Sequence, residues 1–448
     1  MRRLACTIAA SFICAWFGQS AGAGDKPVDK GDLGARAKRF VDQMAKGQFQ
    51  TATEEFDDTM KKVSPPDKLK ETWESLTKSV GAFKKQKAVR ADRLGNYDRR
   101  FVTCEFQKAD LDARVVFDAK GRIAGLQFVA PQPKDFPAPP YANRSRFRET
   151  EVTVGAGAWA VRGTLAVPAG AGPFPAVVLV HGSGPQDRDE TVGPNKPLRD
   201  LAWGLASKGV AVLRYEKRTK EHGPKMVELA GTLTLKEEVL DDALAAVALL
   251  RKTDGIAPGK IVVLGHSLGG TCAPKIGELD PAIAGLVLMA ANARPFEDVL
   301  VEQLDYVMSL DRDMPEEARK QLDTARQKAL AIKTRKVTPK TPSSEIPLGL
   351  SANYWISLRD YHQTETAARL KQPLLILQGE RDYQVTMEDF HAWQKALAGR
   401  SNVTFKSYPR LNHLFMDGVG KAKPAEYEHP GHVATEVVDQ IAEWVKAL

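Results

Sequence analysis

The chain has 448 residues, 43% hydrophobic and 27% charged, with 64 Lys and Arg against 56 Asp and Glu for a net charge of +8. Such a chain can bury a large α/β core and still carry a second domain, which excludes a disordered or fibrous protein. The basic excess is modest and no arginine-rich module, zinc-finger spacing or Walker loop occurs, so no nucleic-acid partner is expected; the eight histidines are dispersed without ligand spacing, so no metal or cofactor is expected either.

Arg2 and Arg3, an apolar run from Leu4 to Phe17 and the small residues Ala21-Gly22-Ala23 read as a secretory signal over residues 1–23, cleaved after Ala23. The run is too short for a stable membrane span, so the expected location is periplasmic or secreted, with an uncleaved, membrane-retained anchor as the alternative. Cleavage removes two arginines, leaving +6, and takes Cys6 and Cys14 with it. Cys104 and Cys272 then remain, which is no disulfide scaffold, and both are expected as free thiols.

Residues 28–130 read as a small α+β domain. Leu33 to Met44 has helical period, Phe49 to Met60 continues it, and Pro65-Pro66-Asp67 opens a third helix reaching Ser79. The period then changes to strand-like over 101–106, 111–117 and 123–129, with Asp118-Ala-Lys-Gly121 as a hairpin turn between the last two. A Pro-rich linker, PQPKDFPAPPYA within residues 131–148, separates this from residues 149–448. There, strand-like segments 151–154 and 161–167 are followed by strand 175–180, helix 198–208, strand 210–215, helix 236–252 and the valine-rich strand 260–264, then by strands 284–289, 373–377 and 403–408. Such alternation predicts a doubly wound, mostly parallel sheet.

The strand ending at Leu264 runs into GHSLG, Gly265 to Gly269, and then into a small-residue helix. That is the order of a nucleophile elbow, in which a sharp strand-to-helix turn presents the central serine and leaves no room for side chains two positions to either side. The pentapeptide alone is a weak signal; its strand and helix context makes Ser267 the candidate nucleophile. Asp382 follows strand 373–377 in GERDYQV, and His413 follows strand 403–408 in PRLNHLF. A serine hydroxyl needs a neutral imidazole to take its proton, the role expected of His413, and a carboxylate to fix the tautomer, the role expected of Asp382. Glu380 and Asp389 are the weaker acid candidates. The oxyanion donors expected are the backbone N–H groups of Leu268 and, from the loop HGSGP after strand 175–180, of Ser183.

With these motifs the region from Glu149 to Leu448, about two thirds of the chain, resembles the α/β-hydrolase family. Its loop HGSGPQDRDE resembles the branch of secreted or periplasmic carboxylesterases that is similar to serine aminopeptidases and dienelactone hydrolases. The resemblance implies hydrolysis of a small-molecule ester through an acyl-enzyme, an antiparallel edge formed by the first two strands, and a helical lid over about residues 294–369. The loop departs from the lipase pattern in reading HGSG and not HGGG, which leaves the Ser183 assignment less specific than the other three. The leading domain resembles an uncharacterised, NTF2-like domain of exported bacterial proteins; the likeness implies no chemistry and specifies no protein partner.

Within the insertion, Tyr354, Trp355 and Tyr361 either line an acyl pocket or pack the lid onto the core. Arg326 to Lys340 carries six basic residues and no acid, read as a solvated helix face in preference to a patch for anionic substrates or a membrane surface. His181 is expected to brace its loop, and His266 to point away from the reacting face. Acyl transfer, thioester or peptide cleavage on the same residues, and a non-enzymatic binding role using the N-terminal domain, are the alternatives to ester hydrolysis.

Overall fold

The structure, a computed structural model, describes residues 32–448 except 95–96, 130, 132–135, 230, 311–315, 334–336 and 348–349; the signal expected over residues 1–23 lies outside the described residues. The chain divides into two compact units between residues 134 and 135.

In the first unit, helix α1 (Leu33–Ala45) starts at Asp32, whose carboxylate accepts from the N–H groups of Gly34 and Ala35. It buries Leu33, Ala37, Phe40, Val41 and Met44 on one face. The second helical stretch is two helices, α2 (Phe49–Glu54) and α3 (Asp58–Val63). Phe56 breaks it: the residue bridges to Ile123, its ring sits 5.7 Å from that of Phe40, and Asp57 caps α3. After α4 (Pro66–Val80) come β1 (Phe83–Leu94), β2 (Tyr97–Phe106), β3 (Asp110–Phe117) and β4 (Ile123–Val129), an antiparallel sheet in chain order. Trp73 of α4 seats the helix on this sheet, its ring within 5.9 Å of those of Phe83, Phe106 and Phe128.

β1 was not expected from sequence. Its register slips twice against β2, which spoils alternation, and Lys84, Lys85 and Lys87 pair with Glu105 of β2. Cations on an edge strand blunt edge-to-edge association while erasing the apolar period that marks a strand.

The second unit is built on an eight-stranded sheet. Its elements are β5 (Phe147–Val154), β6 (Val161–Pro168), β7 (Phe174–Val180), α5 (Pro197–Ser207), β8 (Ala211–Tyr215), α6 (Arg218–Glu221), α7 (Gly223–Glu228), α8 (Asp241–Arg251), β9 (Ile256–His266), α9 (Leu268–Leu279) and β10 (Gly285–Met289). The inserted helices follow: α10 (Phe296–Leu310), α11 (Glu316–Lys333), α12 (Ala352–Arg359) and α13 (Gln363–Arg369); then β11 (Leu374–Gly379), α14 (Met387–Ala396), β12 (Val403–Tyr408) and α15 (Thr435–Ala447). The strand order is β12-β11-β10-β9-β7-β8-β6-β5. All pairs from β12 to β8 are parallel, and β6 and β5 form an antiparallel edge. α8 and α9 pack on one face with the inserted helices, α5 and α15 on the other. The helix expected over 236–252 begins with a π-helical turn, Lys236–Leu240, before α8.

This topology sets the site. From β7 the chain steps to β8 on one side and then returns to β9 on the other, so β7 and β9 flank the point where strand order reverses. Carboxyl ends of strands at such a point open a crevice for ligands. The loop after β7 carries Ser183, and the turn after β9 carries Ser267.

Candidate active site

Ser267 joins β9 to α9 with φ 52° and ψ −118°, a left-handed conformation that is costly for a residue with a Cβ and that concentrates at functional turns. Its neighbours show why the flanking positions are glycine. A Cβ on Gly265 would lie 2.1 Å from the Gly269 carbonyl oxygen, and one on Gly269 would lie 2.4 Å from that of Val180. Leu268 is the first residue of α9, so its N–H has no intrahelical acceptor and sits at the positive end of the helix dipole.

His413 and Asp382, 31 residues apart, meet with Nδ1 and Oδ2 at 2.6 Å, both buried. A carboxylate can only accept there, so Nδ1 carries the proton and Nε2 is left as a base. Asp382 is held in turn: its Oδ1 accepts from the N–H groups of Gln384 and Val385 at 2.7 and 3.1 Å. The other acids are engaged elsewhere. Asp389 accepts from the backbone N–H groups of Ala293 and Arg294 and pairs with the Arg294 side chain, while Glu380 is exposed and accepts from Ser407. Asp417 closes the loop bearing His413 by pairing with Arg410 across the Leu411 to Asp417 bridge.

The His413 loop is tied to the elbow through His266. His266 Nε2 donates to the His413 carbonyl at 2.9 Å, and the two rings are 4.7 Å apart. No hydrogen bond joins the Ser267 hydroxyl to the His413 ring among the described residues; such bonds often form only with substrate present.

His266 is also 3.0 Å from Glu190, Nδ1 to Oε2, with the N–H directed off the oxygen. Both ring nitrogens therefore face acceptors, which favours imidazolium. Burial opposes charge on His266, but the Glu190 carboxylate and the hydrogen bond to the His413 carbonyl outweigh it and raise its pKa above the ordinary value. Burial likewise opposes ionisation of Glu190, yet His266, His181 and the Gly182 N–H hold it below the usual carboxylate range. Glu190 has φ 52°, and its other oxygen accepts from the Gly182 N–H at 2.6 Å. One buried carboxylate thus joins the loop after β7 to the elbow. His266 flanks the site as a tie; it does not simply turn away from it.

In the loop after β7, the N–H of Gly182 is taken by Glu190, whereas no acceptor for that of exposed Ser183 is found among the described residues. Gly182 lies against the elbow, since a Cβ added to it would be 3.2 Å from the Ser267 Cβ. His181 is buried edge-on to Tyr215, and burial pushes its pKa down to about 4. Lys217, buried after β8, donates to the Gly182 carbonyl. Glu190 and Lys217 had no role in the sequence reading. A single buried acid or base has no periodic signature, and positive φ at a non-glycine cannot be read from residue type.

Tyr354 and Trp355 of α12 are 2% and 0% exposed, and the Trp355 ring lies tilted against that of Phe296, 5.5 Å away, while its Nε1 donates to the Pro347 carbonyl. Tyr361 donates to the Thr271 carbonyl in α9. In this structure all three fasten the insertion to the core. Of the basic stretch, Arg326 and Lys333 pair with Asp305 and Asp298, and residues 334–336 lie outside the described residues. Among the described residues no group of His, Cys, Asp and Glu is arranged to hold a metal ion, and no helix is long and apolar enough to cross a membrane.

Residues 173–417 match the family model described as serine aminopeptidase, S33, and residues 37–126 match that of a protein of unknown function, DUF3887. Esterase EstD of Thermotoga maritima is 37% identical over 408 residues, covering 91% of this chain and 93% of that protein. The chain is an α/β-hydrolase of the serine aminopeptidase S33 family. Solved structures similar to this hydrolase include an esterase of Pyrococcus furiosus, 15% identical, covering 67% of this chain and 91% of that one with a TM-score of 0.43. Another is Est1E from Butyrivibrio proteoclasticus, 18% identical, covering 66% and 96% with a TM-score of 0.42.

Proposed function

We propose that this hydrolase cleaves carboxylic esters of small molecules through an acyl-enzyme on Ser267. His413 Nε2 takes the hydroxyl proton as Oγ attacks the ester carbonyl carbon, and the N–H groups of Leu268 and Ser183 receive the developing oxyanion. The tetrahedral intermediate then expels the alcohol, which leaves with the proton held by His413. Water, deprotonated by the same imidazole, adds to the acyl carbon, and the second tetrahedral intermediate expels Ser267 Oγ, which takes the proton back from His413 as the acid is released. Asp382 holds the Nδ1–H tautomer and stabilises the transient imidazolium.

The observation that carries the proposal is the 2.6 Å contact of His413 Nδ1 with a doubly anchored Asp382 beside a strained elbow serine. The esterase named among its relatives supports ester over peptide substrates, while the aminopeptidase name of the family model supports the second reading, amide cleavage. Residues 1–23 support export to the periplasm or medium. The test is a panel of p-nitrophenyl esters of graded acyl length run beside aminoacyl p-nitroanilides, with wild type and Ser267→Ala. Ester turnover that falls at least about 10³-fold in the variant, with anilides untouched by either, is the expected result. Preferential anilide turnover would select the peptidase, and unchanged ester turnover in Ser267→Ala would end the proposal. An added alcohol that diverts acyl groups to a new ester would reveal acyl transfer.

A further inference from the structure

The Gly182 carbonyl accepts from Lys217 Nζ at 2.7 Å, and the same ammonium lies 2.5 Å from Glu238 Oε1. Both side chains are buried, 3% and 0% exposed. Against apolar side chains of similar size, a buried ion pair contributes little net stability, so stability is a weak account of why one lies here. The position of the pair is more telling. It grips the carbonyl of the residue whose N–H is gripped by Glu190 and whose α-carbon lies against Ser267.

A peptide unit is planar and trans, so a Gly182 carbonyl fixed toward the buried ammonium fixes the Ser183 N–H in the opposite direction, away from the interior. A cation at the carbonyl oxygen also draws electron density from the amide nitrogen and strengthens that N–H as a donor. We propose that Lys217 and Glu238 are positioning residues that aim and polarise the Ser183 N–H toward the oxyanion of the tetrahedral intermediate. Glu238 acts at one remove by holding the ammonium, and it is presented by the π-helical turn Lys236–Leu240, an irregularity that recurs at functional sites. Tyr354 of the insertion interacts with Glu238, so seating of α12 bears on the same carboxylate. The inference rests on the acyl-enzyme reading given above.

Lys217→Met alone strands a buried carboxylate and is expected to weaken the fold. The informative variant is Lys217→Met with Glu238→Leu, which replaces the pair with apolar side chains of similar length. Thermal melting, kcat and KM on a short p-nitrophenyl ester, and affinity for an alkyl boronic acid, which forms a tetrahedral adduct, are measured together. A folded double variant should lose about 10- to 100-fold in kcat, less than the 10²- to 10³-fold that loss of a whole oxyanion donor brings. KM should stay within about twofold, and boronate affinity should fall in step with kcat/KM. Glu238→Gln keeps the shape and a hydrogen bond to the ammonium; it should show an intermediate loss with KM unchanged, and it carries the test if the double variant does not fold. Unchanged kcat and boronate affinity, or a KM that rises in step with a falling kcat, would overturn the inference. A wild-type enzyme that never acylates Ser267 would instead overturn the reading beneath it.

Discussion

Replacing Asp382 with Asn should leave the fold intact and cost almost all of the activity, and the reason lies in which oxygen carries which bonds. Oδ1 accepts from two backbone N–H groups, while Oδ2 faces the His413 Nδ1–H and, at 3.3 Å, the Gln378 amide. If the new amide nitrogen took the Oδ1 place, two rigid backbone donors would confront a third donor. It therefore goes to the Oδ2 place, where it presents N–H to Nδ1. His413 can meet it only by giving up the Nδ1 proton, which moves to Nε2 and removes the base. The same wrong-tautomer substitution in a serine protease lowers kcat about 10⁴-fold, equivalent to about 5.5 kcal/mol, and that is the loss expected here. The assay is kcat and KM for a short p-nitrophenyl ester beside a melting curve, with KM and melting temperature near wild type. An Asp382→Asn enzyme within tenfold of wild type would refute the tautomer argument.

Gly269→Ala drives a Cβ to 2.4 and 2.6 Å from the carbonyl oxygens of Val180 and His181; these are backbone atoms that cannot swing aside, so a urea titration should show a loss of about 3 kcal/mol or more. The Glu190 and His266 pair gives stability a pH window. His266, raised, stabilises fully below its ordinary value and loses that contribution as pH climbs through its folded pKa; Glu190, lowered, stabilises fully above its ordinary value and loses it as pH falls through its own. The deficit in melting temperature of Glu190→Gln against wild type should therefore be largest between the ordinary glutamate and histidine values and shrink on both sides, and a deficit flat with pH would contradict the pairing. Burial pushes both the Cys104 and Cys272 thiols up to about 12, so iodoacetamide followed by peptide mapping should leave both unmodified in the native protein and modify both in guanidinium.

The site was legible in sequence wherever chemistry has a local signature. GHSLG announces a strained turn because glycine at 265 and 269 is a steric demand, and Asp382 follows the continuously buried strand β11 while His413 follows the alternating edge strand β12. The parallel sheet was legible for the same reason, since strands buried on both faces read as unbroken Val, Leu and Ile. What escaped lacks such signatures. β1 hides under lysines and slipped register, and the break at Phe56 depends on a strand 67 residues away in sequence, at Ile123. Glu190, Lys217 and Glu238 belong to separate segments of the chain, and only the closing of the sheet gathers them around Gly182, with Glu190 on its N–H, Lys217 on its carbonyl and Glu238 on Lys217. The loop after β7 reads HGSG, yet which of its N–H groups is spoken for follows from Glu190 alone.

The account stands on Ser267 carrying an acyl group in turnover. Rapid acid quench of the enzyme mixed with a p-nitrophenyl ester, followed by peptide mass analysis, measures this directly. The acyl mass should appear on the peptide containing Ser267 at up to one per chain and vanish in Ser267→Ala. Turnover of the ester with no adduct on that peptide, or with the adduct on another residue, would contradict it.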